Sequence, residues 1–267
     1  MQIRSTTTAL GLIFAFSATA CAVDSAAPPQ ADGTTGETTQ ALGAKRPFDV
    51  DFSGCSEMAS LTPVPVANVR ARVPAGYALA NEVNGVTFVV VRIANCSGMS
   101  IDQRPVGGGT VAQVGVNLVS PDGTGDINNY TLWYYTTSQP LFVRLRAMGV
   151  DEAQWVPGID YRYAATGPGT GQLDITVPGR PAFTIGGPVT EPVGPVPFVA
   201  NWWGDSARGQ IRMNTTLPAI DFGGATMTLH TGARSELAEV LGATTVTFPI
   251  FDSYNRFPAA HMVVAYP

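Results

Sequence analysis

The sequence predicts a mainly β protein, a single antiparallel barrel-like domain of about ten strands with two or three short helices. The chain has 29 glycines and 21 prolines in 267 residues and few charged residues, which is typical of strands joined by tight turns. Apolar and polar residues alternate with period two in many segments after residue 86, as in half-buried strands. Such a succession indicates a closed or nearly closed barrel, or a sandwich.

The start of the chain has the layout of a secretory signal peptide. Arg4 precedes an apolar stretch at residues 9–16, and small residues lead up to Cys21. The apolar stretch is too short to span a bilayer, which needs roughly 20 residues. The small residues before Cys21 resemble a bacterial lipobox, in which the thiol receives a diacylglycerol. Residues 1–20 are therefore predicted to be a lipoprotein signal peptide, and Cys21 the lipidated residue.

Residues 21–46 are predicted to be a lipidated, flexible tether, because Pro28, Pro29 and the polar run after them have no apolar periodicity. Residues 47–267 are long enough to form one hydrophobic core, so we predict that they fold as a single β-barrel-like domain. Ala22, rather than aspartate, suits transport to an outer membrane. We expect an exported, membrane-anchored lipoprotein at the outer membrane or cell surface of a bacterium, with the membrane as its partner through the lipid.

The charge of the chain argues against nucleic acid as a partner. The net charge is −5, Lys45 is the single lysine, and the arginines are scattered. A nucleic-acid surface needs a clustered basic face.

Two cysteines remain once Cys21 is assigned to lipid. Cys55 and Cys96 form an even pair in an exported chain, where thiols tend to oxidise. We predict a disulfide that closes a loop of about 40 residues and stabilises the fold by roughly 3–4 kcal/mol. Two separately buried thiols are the alternative.

The strands are predicted in chain order. Residues 47–52 form the first strand. Residues 86–93 are apolar on both faces and should form a central strand covered on each side. Residues 112–118 alternate, and residues 130–135 are aromatic. Further alternating segments lie at residues 172–177, 210–214, 225–230 and 246–250.

Three helices are predicted between these strands. Pro65 and Pro74 bracket valines at helical spacing. Gln139–Met148 has an apolar face and ends at Gly149. Glu236–Leu241 follows Ser235, a residue favoured at the N-cap, and precedes Gly242.

The order of these segments resembles that of a known superfamily. The relevant stretches are residues 73–77 (VPAGY), 129–132 (NYTL), 140–145 (PLFVRL) and 232–238 (GARSELA). They are similar in layout to the acetoacetate decarboxylase-like β-barrel proteins over about residues 47–245. The resemblance implies a barrel with an internal cavity.

The chemistry of that superfamily does not carry over. Its decarboxylase uses a lysine amine that forms a Schiff base with a keto acid. The glycine-arginine-glutamate and proline-lysine-lysine signatures are missing, and no lysine follows Lys45. Arginine stays protonated and cannot replace it. We therefore predict no catalytic residue and no cofactor.

Aromatic and cationic side chains are the candidates for ligand binding. Six aromatic residues either line a pocket for an apolar or sugar-like ligand or pack in the core: Trp133, Tyr134, Tyr135, Trp155, Trp202 and Trp203. Adjacent tryptophans on a strand point to opposite faces. Arg144 and Arg208 would contact an anionic ligand unless they are simply exposed. The candidate ligand-binding residues are Tyr134, Arg144, Trp202, Trp203, Arg208 and His230.

Two further motifs have simpler explanations. Residues 204–206 (GDS) resemble the serine block of some lipases, but their late position favours a turn, and Asp205 with His261 is a weak triad. His230 lies on a polar strand face. With only two histidines, we predict no metal site.

Two functions remain. The first is a non-catalytic barrel that binds a small apolar or anionic ligand or acts as a surface scaffold. The alternative is an enzyme, a lyase or hydrolase, that uses lysine-independent chemistry in the barrel cavity. Converging ionised groups around a cavity would favour the enzyme, an apolar cavity with one polar end would favour binding, and a filled barrel would favour the scaffold.

Overall fold

The computed structural model describes residues 46–82 and 85–267. Within them no helix is long and apolar enough to cross a membrane. The helices are α1 (Val66–Val69), α2 (Gln139–Met148) and α3 (Glu236–Leu241). The strands are β1 (Phe48–Pro65), β2 (Val86–Ile101), β3 (Arg104–Pro105), β4 (Gly109–Asn117), β5 (Ile127–Thr136), β6 (Ala153–Trp155), β7 (Asp160–Gly167), β8 (Thr170–Val177), β9 (Phe183–Thr190), β10 (Val193–Ser206), β11 (Gly209–Gly224), β12 (Thr228–Thr231), β13 (Thr245–Thr247) and β14 (Phe251–Ala265).

Seven strands close into a barrel, which confirms the predicted fold class. They pair in the order β1-β14-β11-β10-β5-β4-β2, and β2 pairs with β1 to complete the ring. The ring is not antiparallel throughout, because β10 runs parallel to β5. This correction has a topological cause: β10 comes late in the chain and inserts beside β5 instead of forming a hairpin with it.

The disulfide predicted between Cys55 and Cys96 is confirmed. The two residues face each other directly in the register of β1 and β2, with their Cα atoms 4.1 Å apart. The bridge therefore joins the first barrel strand to the central one.

A second sheet, which the sequence did not separate from the barrel, packs against its outer face. This five-stranded sheet has the order β13-β12-β9-β8-β7. Its inward residues, among them Leu173 and Ile185, share a buried cluster with Val89 and Val91 of β2 and with residues of α1 and α3. We call this cluster the outer core.

The other buried cluster fills the barrel itself. All seven ring strands contribute to it, for example through Val50, Val90, Tyr134 and Trp202. Helix α2 adds Leu141, Leu145 and Met148 and so closes one end. Strand β2 is therefore covered on both faces, as its apolar sequence predicted.

All three helices were predicted correctly, because their end signals are local. The Ser138 hydroxyl accepts a hydrogen bond from the Leu141 amide at the start of α2, and Gly149 ends it with φ +97°. Ser235 caps α3 in the same way. Helix α1 continues into a short 3₁₀ turn at Arg70–Arg72.

Candidate functional site

A row of polar side chains crosses the barrel interior. Arg92 on β2 lies directly opposite Gln113 on β4, and Gln113 lies opposite Tyr134 on β5. On the other side, Glu57 on β1 lies opposite Asn255 on β14. Glu57 in turn lies opposite Ala94 of β2, two residues from Arg92 on the same strand face. Since opposite and diagonal residues on one face of a sheet are neighbours, the register places these five side chains next to one another. We call them the interior row.

An ion pair forms the centre of the interior row. The Arg92 Nε atom lies 2.6 Å from Glu57 Oε2, with side chains only 15% and 6% exposed. Arg92 also donates to Gln113 Oε1 at 2.7 Å, and the Asn255 amide donates to Glu57 Oε1 at 3.3 Å. The guanidinium and the carboxylate are thus neutralised by each other and held by amides on both sides.

Tyr134 lies at the end of the interior row and is completely buried. Its hydroxyl has no hydrogen-bond partner among the residues that the structure describes. Burial raises the pKa of this phenol, and the nearby Arg92 charge only partly opposes the shift. Tyr134 is therefore a neutral phenol at physiological pH.

The free space beside the interior row is very small. Arg92, Tyr134 and Thr215 line a cavity of about 10 Å³ together with apolar side chains. Such a volume corresponds to about one water molecule. Among the described residues that line this cavity, the charged groups converge but leave almost no room for a ligand.

The two adjacent tryptophans point to opposite faces of β10, as expected. Trp202 lies in the barrel interior and Trp203 in the outer core, and each is 1% exposed. Trp203 donates its indole N–H to Asn128 Oδ1 at 2.9 Å. Both rings therefore pack in the protein core.

The remaining candidate residues lie far apart in the fold. Arg144 is on α2, where it pairs with Asp102 and lies over the Phe48 ring. Arg208 is exposed in the turn between β10 and β11, and His230 is on the outer face of the second sheet. Of the six candidates, Tyr134 and Trp202 share the barrel interior.

The prediction of a turn at residues 204–206 is wrong, because these residues end strand β10 and pair with β11, and the turn follows at residues 207–208. They do not form a catalytic constellation either. The Ser206 hydroxyl donates to the Gly209 carbonyl. Asp205 accepts a hydrogen bond from Tyr77 at 3.1 Å, whereas His261 contacts Asp51 at 2.7 Å. The serine, the histidine and the aspartate thus have separate partners.

Sequence reasoning missed Glu57, Arg92, Gln113 and Asn255. Gln113 alternates with apolar residues along its strand, and this pattern suggested that its side chain faces solvent. A charged residue inside the apolar segment at residues 86–93 was the available signal, because Arg92 interrupts a run that is otherwise apolar or β-branched.

Sequence reasoning also missed Glu152, an acidic residue whose ionisation is perturbed. Glu152 lies near Asp205, and its Oε2 atom is buried without a partner among the described residues. Burial raises the pKa of Glu152, and the carboxylates of Asp151 and Asp205 raise it further, against the opposing effect of Arg146.

Comparison with solved structures identifies the fold. The chain matches an acetoacetate decarboxylase with a TM-score of 0.53 and 11% identity, over 81% of this chain and 89% of that one. It also matches an acetoacetate decarboxylase-like enzyme from Sphingomonas wittichii RW1 with a TM-score of 0.50 and 10% identity, over 82% and 91%. No protein-family model and no curated protein matches the sequence. The chain therefore has the acetoacetate decarboxylase-like barrel fold.

Proposed function

We propose that the chain is an exported, lipid-anchored protein whose decarboxylase-like barrel is non-catalytic and serves as a surface scaffold. The small size of the cavity beside the interior row carries this proposal. Arg92 is neutralised by Glu57, and the space beside them has a volume of about 10 Å³.

The available side chains support the loss of Schiff-base chemistry. Residues 46–267 contain no lysine, so no side-chain amine can condense with a keto acid inside the barrel. The guanidinium of Arg92 stays protonated and already has an internal counterion. A substrate carboxylate would have to displace Glu57 from its contact with Arg92.

Export and anchoring rest on separate observations. The signal-like start and Cys21 lie outside the described residues, and the sequence pattern alone argues for them. The Cys55–Cys96 disulfide supports an oxidising compartment.

Cell fractionation tests the anchor. The wild-type chain is expected in the membrane fraction, and Cys21→Ala is expected to leave it, because the variant has no thiol to acylate. Cys55→Ala/Cys96→Ala is the matched control, since it removes cysteines without touching the lipidation site. Membrane attachment of Cys21→Ala would contradict the proposal.

The converging groups of the interior row favour one second candidate, an enzyme with lysine-independent chemistry. In that case Tyr134, a neutral buried phenol near Arg92, would act as a general acid. Tyr134→Phe separates the two functions, because it would abolish turnover by such an enzyme and leave a non-catalytic barrel unchanged.

A further inference from the structure

Strand β7 is the one long strand in the described part of the chain that pairs on a single side. The strands with only one neighbour there are β3, β6, β7 and β13. Strands β3, β6 and β13 have two or three residues, whereas β7 has eight. A long edge strand presents unpaired N–H and C=O groups to which another strand can bind. The free edge of β7 is therefore a candidate interaction surface.

The backbone along this edge is accessible. None of the eight residues of β7 is buried. Among the described residues, β7 forms no backbone–backbone hydrogen bond outside its ladder with β8. A bulge between Ala165 and Gly167 interrupts that ladder, so residues 160–165 are its regular part. Every second residue there directs its N–H and C=O groups away from β8, and this part contains neither proline nor lysine, the residues that commonly protect an edge.

The inward side chains of β7 hold the strand on the barrel. The Tyr163 ring stacks on Tyr254 of β14, with centroids 5.5 Å apart and ring planes parallel within 1°. The Tyr163 hydroxyl also donates a hydrogen bond to Glu191, and Tyr161 packs against the outer core. The edge is thus ordered before any partner arrives, which lowers the entropic cost of binding.

Open space lies on both sides of β7. On the barrel side, Tyr163 and residues of β1, β2, β11 and β14 line a groove of about 520 Å³. On the other side, Asp160 and Arg162 border a concave region of about 380 Å³ on the outer face of the second sheet. Successive side chains of a strand point to opposite faces. A strand added to β7 would therefore direct alternate side chains towards the groove and towards the outer face.

The outer side of β7 carries a net negative charge. Arg162 pairs with Asp160 at 2.7 Å, and Asp174 on β8 lies opposite Arg162 in the strand register. With His230 neutral, two carboxylates accompany one guanidinium around this concave region, which gives a net charge of −1.

The groove side has the same balance of charge. Arg256 pairs with Glu191 at 3.0 Å, and Asp221 lies opposite Arg256 in the register of β11 and β14. Two carboxylates again accompany one guanidinium, for a net charge of −1. A cationic strand is favoured on both faces, whereas a second copy of this chain would bring the same negative charge to the edge.

We infer that the edge of β7 binds an extended, cationic segment of another protein, which adds a strand to the five-stranded second sheet. Backbone hydrogen bonds hold the segment in place, and lysine or arginine side chains on both of its faces lie near the carboxylates. The inference rests on the proposed role as a surface scaffold, and it names the chemistry of the partner.

Binding of designed peptides to the full chain in non-ionic detergent tests the inference. The cationic peptide contains valine, threonine and arginine, with arginine on both faces, and the acidic peptide has glutamate in place of arginine. Fluorescence anisotropy should show saturable binding of the cationic peptide, weaker at high salt, and no binding of the acidic one. A cationic peptide that is N-methylated at its central residues keeps the charge but loses backbone donors. It should bind about tenfold more weakly or worse.

Matched substitutions at one exposed residue test the position of the site. Ala164 is exposed and lies on the same face of β7 as Arg162. Ala164→Lys should weaken binding of the cationic peptide about threefold, and Ala164→Glu should strengthen it by about the same factor. Val143→Lys adds the same charge on α2, at a residue that is 53% exposed, and should bind like the wild type. Hydrogen exchange at residues 160–165 should slow when the peptide is bound.

Three results would overturn the inference. The first is the absence of saturable binding by the cationic peptide. The second is equal binding by the N-methylated peptide, which would show attraction between charges without strand pairing. The third is slowed exchange at β7 that increases with protein concentration in the absence of peptide, because it would assign the edge to a second copy. Turnover of a substrate inside the barrel would defeat the proposed non-catalytic role instead, and it would leave the peptide result unaffected.

Discussion

Replacing Arg92 by methionine is expected to destabilise the protein strongly. Arg92→Met keeps much of the side-chain volume but leaves the Glu57 carboxylate buried, with the Asn255 amide as its remaining partner. Breaking a buried ion pair on one side costs about 3–5 kcal/mol. The free energy of unfolding should fall by that amount at pH 7, as measured by urea denaturation followed through tryptophan fluorescence.

Two companion variants distinguish a buried charge from lost packing. Adding Glu57→Gln to Arg92→Met removes the charge and keeps an acceptor for Asn255, so the double variant should recover much of the stability. Arg162→Met breaks the pair with Asp160, whose side chains are 77% and 44% exposed, and should cost about 0–1 kcal/mol. A loss no larger than that of Arg162→Met would refute the reasoning.

Three further predictions concern other buried groups. Tyr134→Phe removes a hydroxyl without a partner among the described residues, so the unfolding free energy should stay unchanged or rise. Tyr135→Phe removes a hydrogen bond to the Pro181 carbonyl and should lower the unfolding free energy by about 1 kcal/mol or more. Equal losses of stability in the two variants would contradict this prediction. The double variant Cys55→Ala/Cys96→Ala opens a loop with a sequence separation of 41, and its unfolding free energy should fall by about 4 kcal/mol. Intact mass measured without reductant should show the bridge in the wild type. Two free thiols in that measurement would contradict the prediction. Glu152 has a folded-state pKa above its usual 4.5, so its ionisation lowers the stability of the folded state as pH rises past 4.5. Glu152→Gln should therefore be more stable than the wild type at pH 7 but not below pH 4. A stability difference that does not change with pH would disprove the raised pKa of Glu152.

The elements that the sequence predicted well are those whose signals are local. Helix α2 is bounded by Ser138 and Gly149, and both side-chain capping and positive φ depend on adjacent residues alone. Residues 86–93 predicted a central strand because both faces are apolar, and β2 is covered by the barrel interior and by the outer core.

The elements that the sequence could not predict depend on distant pairing. The parallel pairing of β5 and β10 joins Asn128 to Asn201 across 73 residues of chain. Division of the strands between barrel and second sheet has no local signal either. The same holds for the interior row, since the contact of Glu57 with Arg92 follows from the register of β1 and β2.

The candidate site was likewise predictable where it depends on local geometry and not where it depends on distant pairing. Trp202 and Trp203 were predicted to point to opposite faces, because that depends only on strand geometry. Their burial on both faces depends on the second sheet, which covers the Trp203 side. An aromatic pair that looked like a pocket wall therefore packs in two cores.

The rate of keto-acid turnover by the purified full chain tests the central claim most directly. Acetoacetate and pyruvate are followed by proton NMR with the wild type, with Tyr134→Phe and with buffer alone. A filled, non-catalytic barrel predicts that all three samples lose substrate at the same rate. Consumption faster than in buffer that disappears in Tyr134→Phe would contradict it.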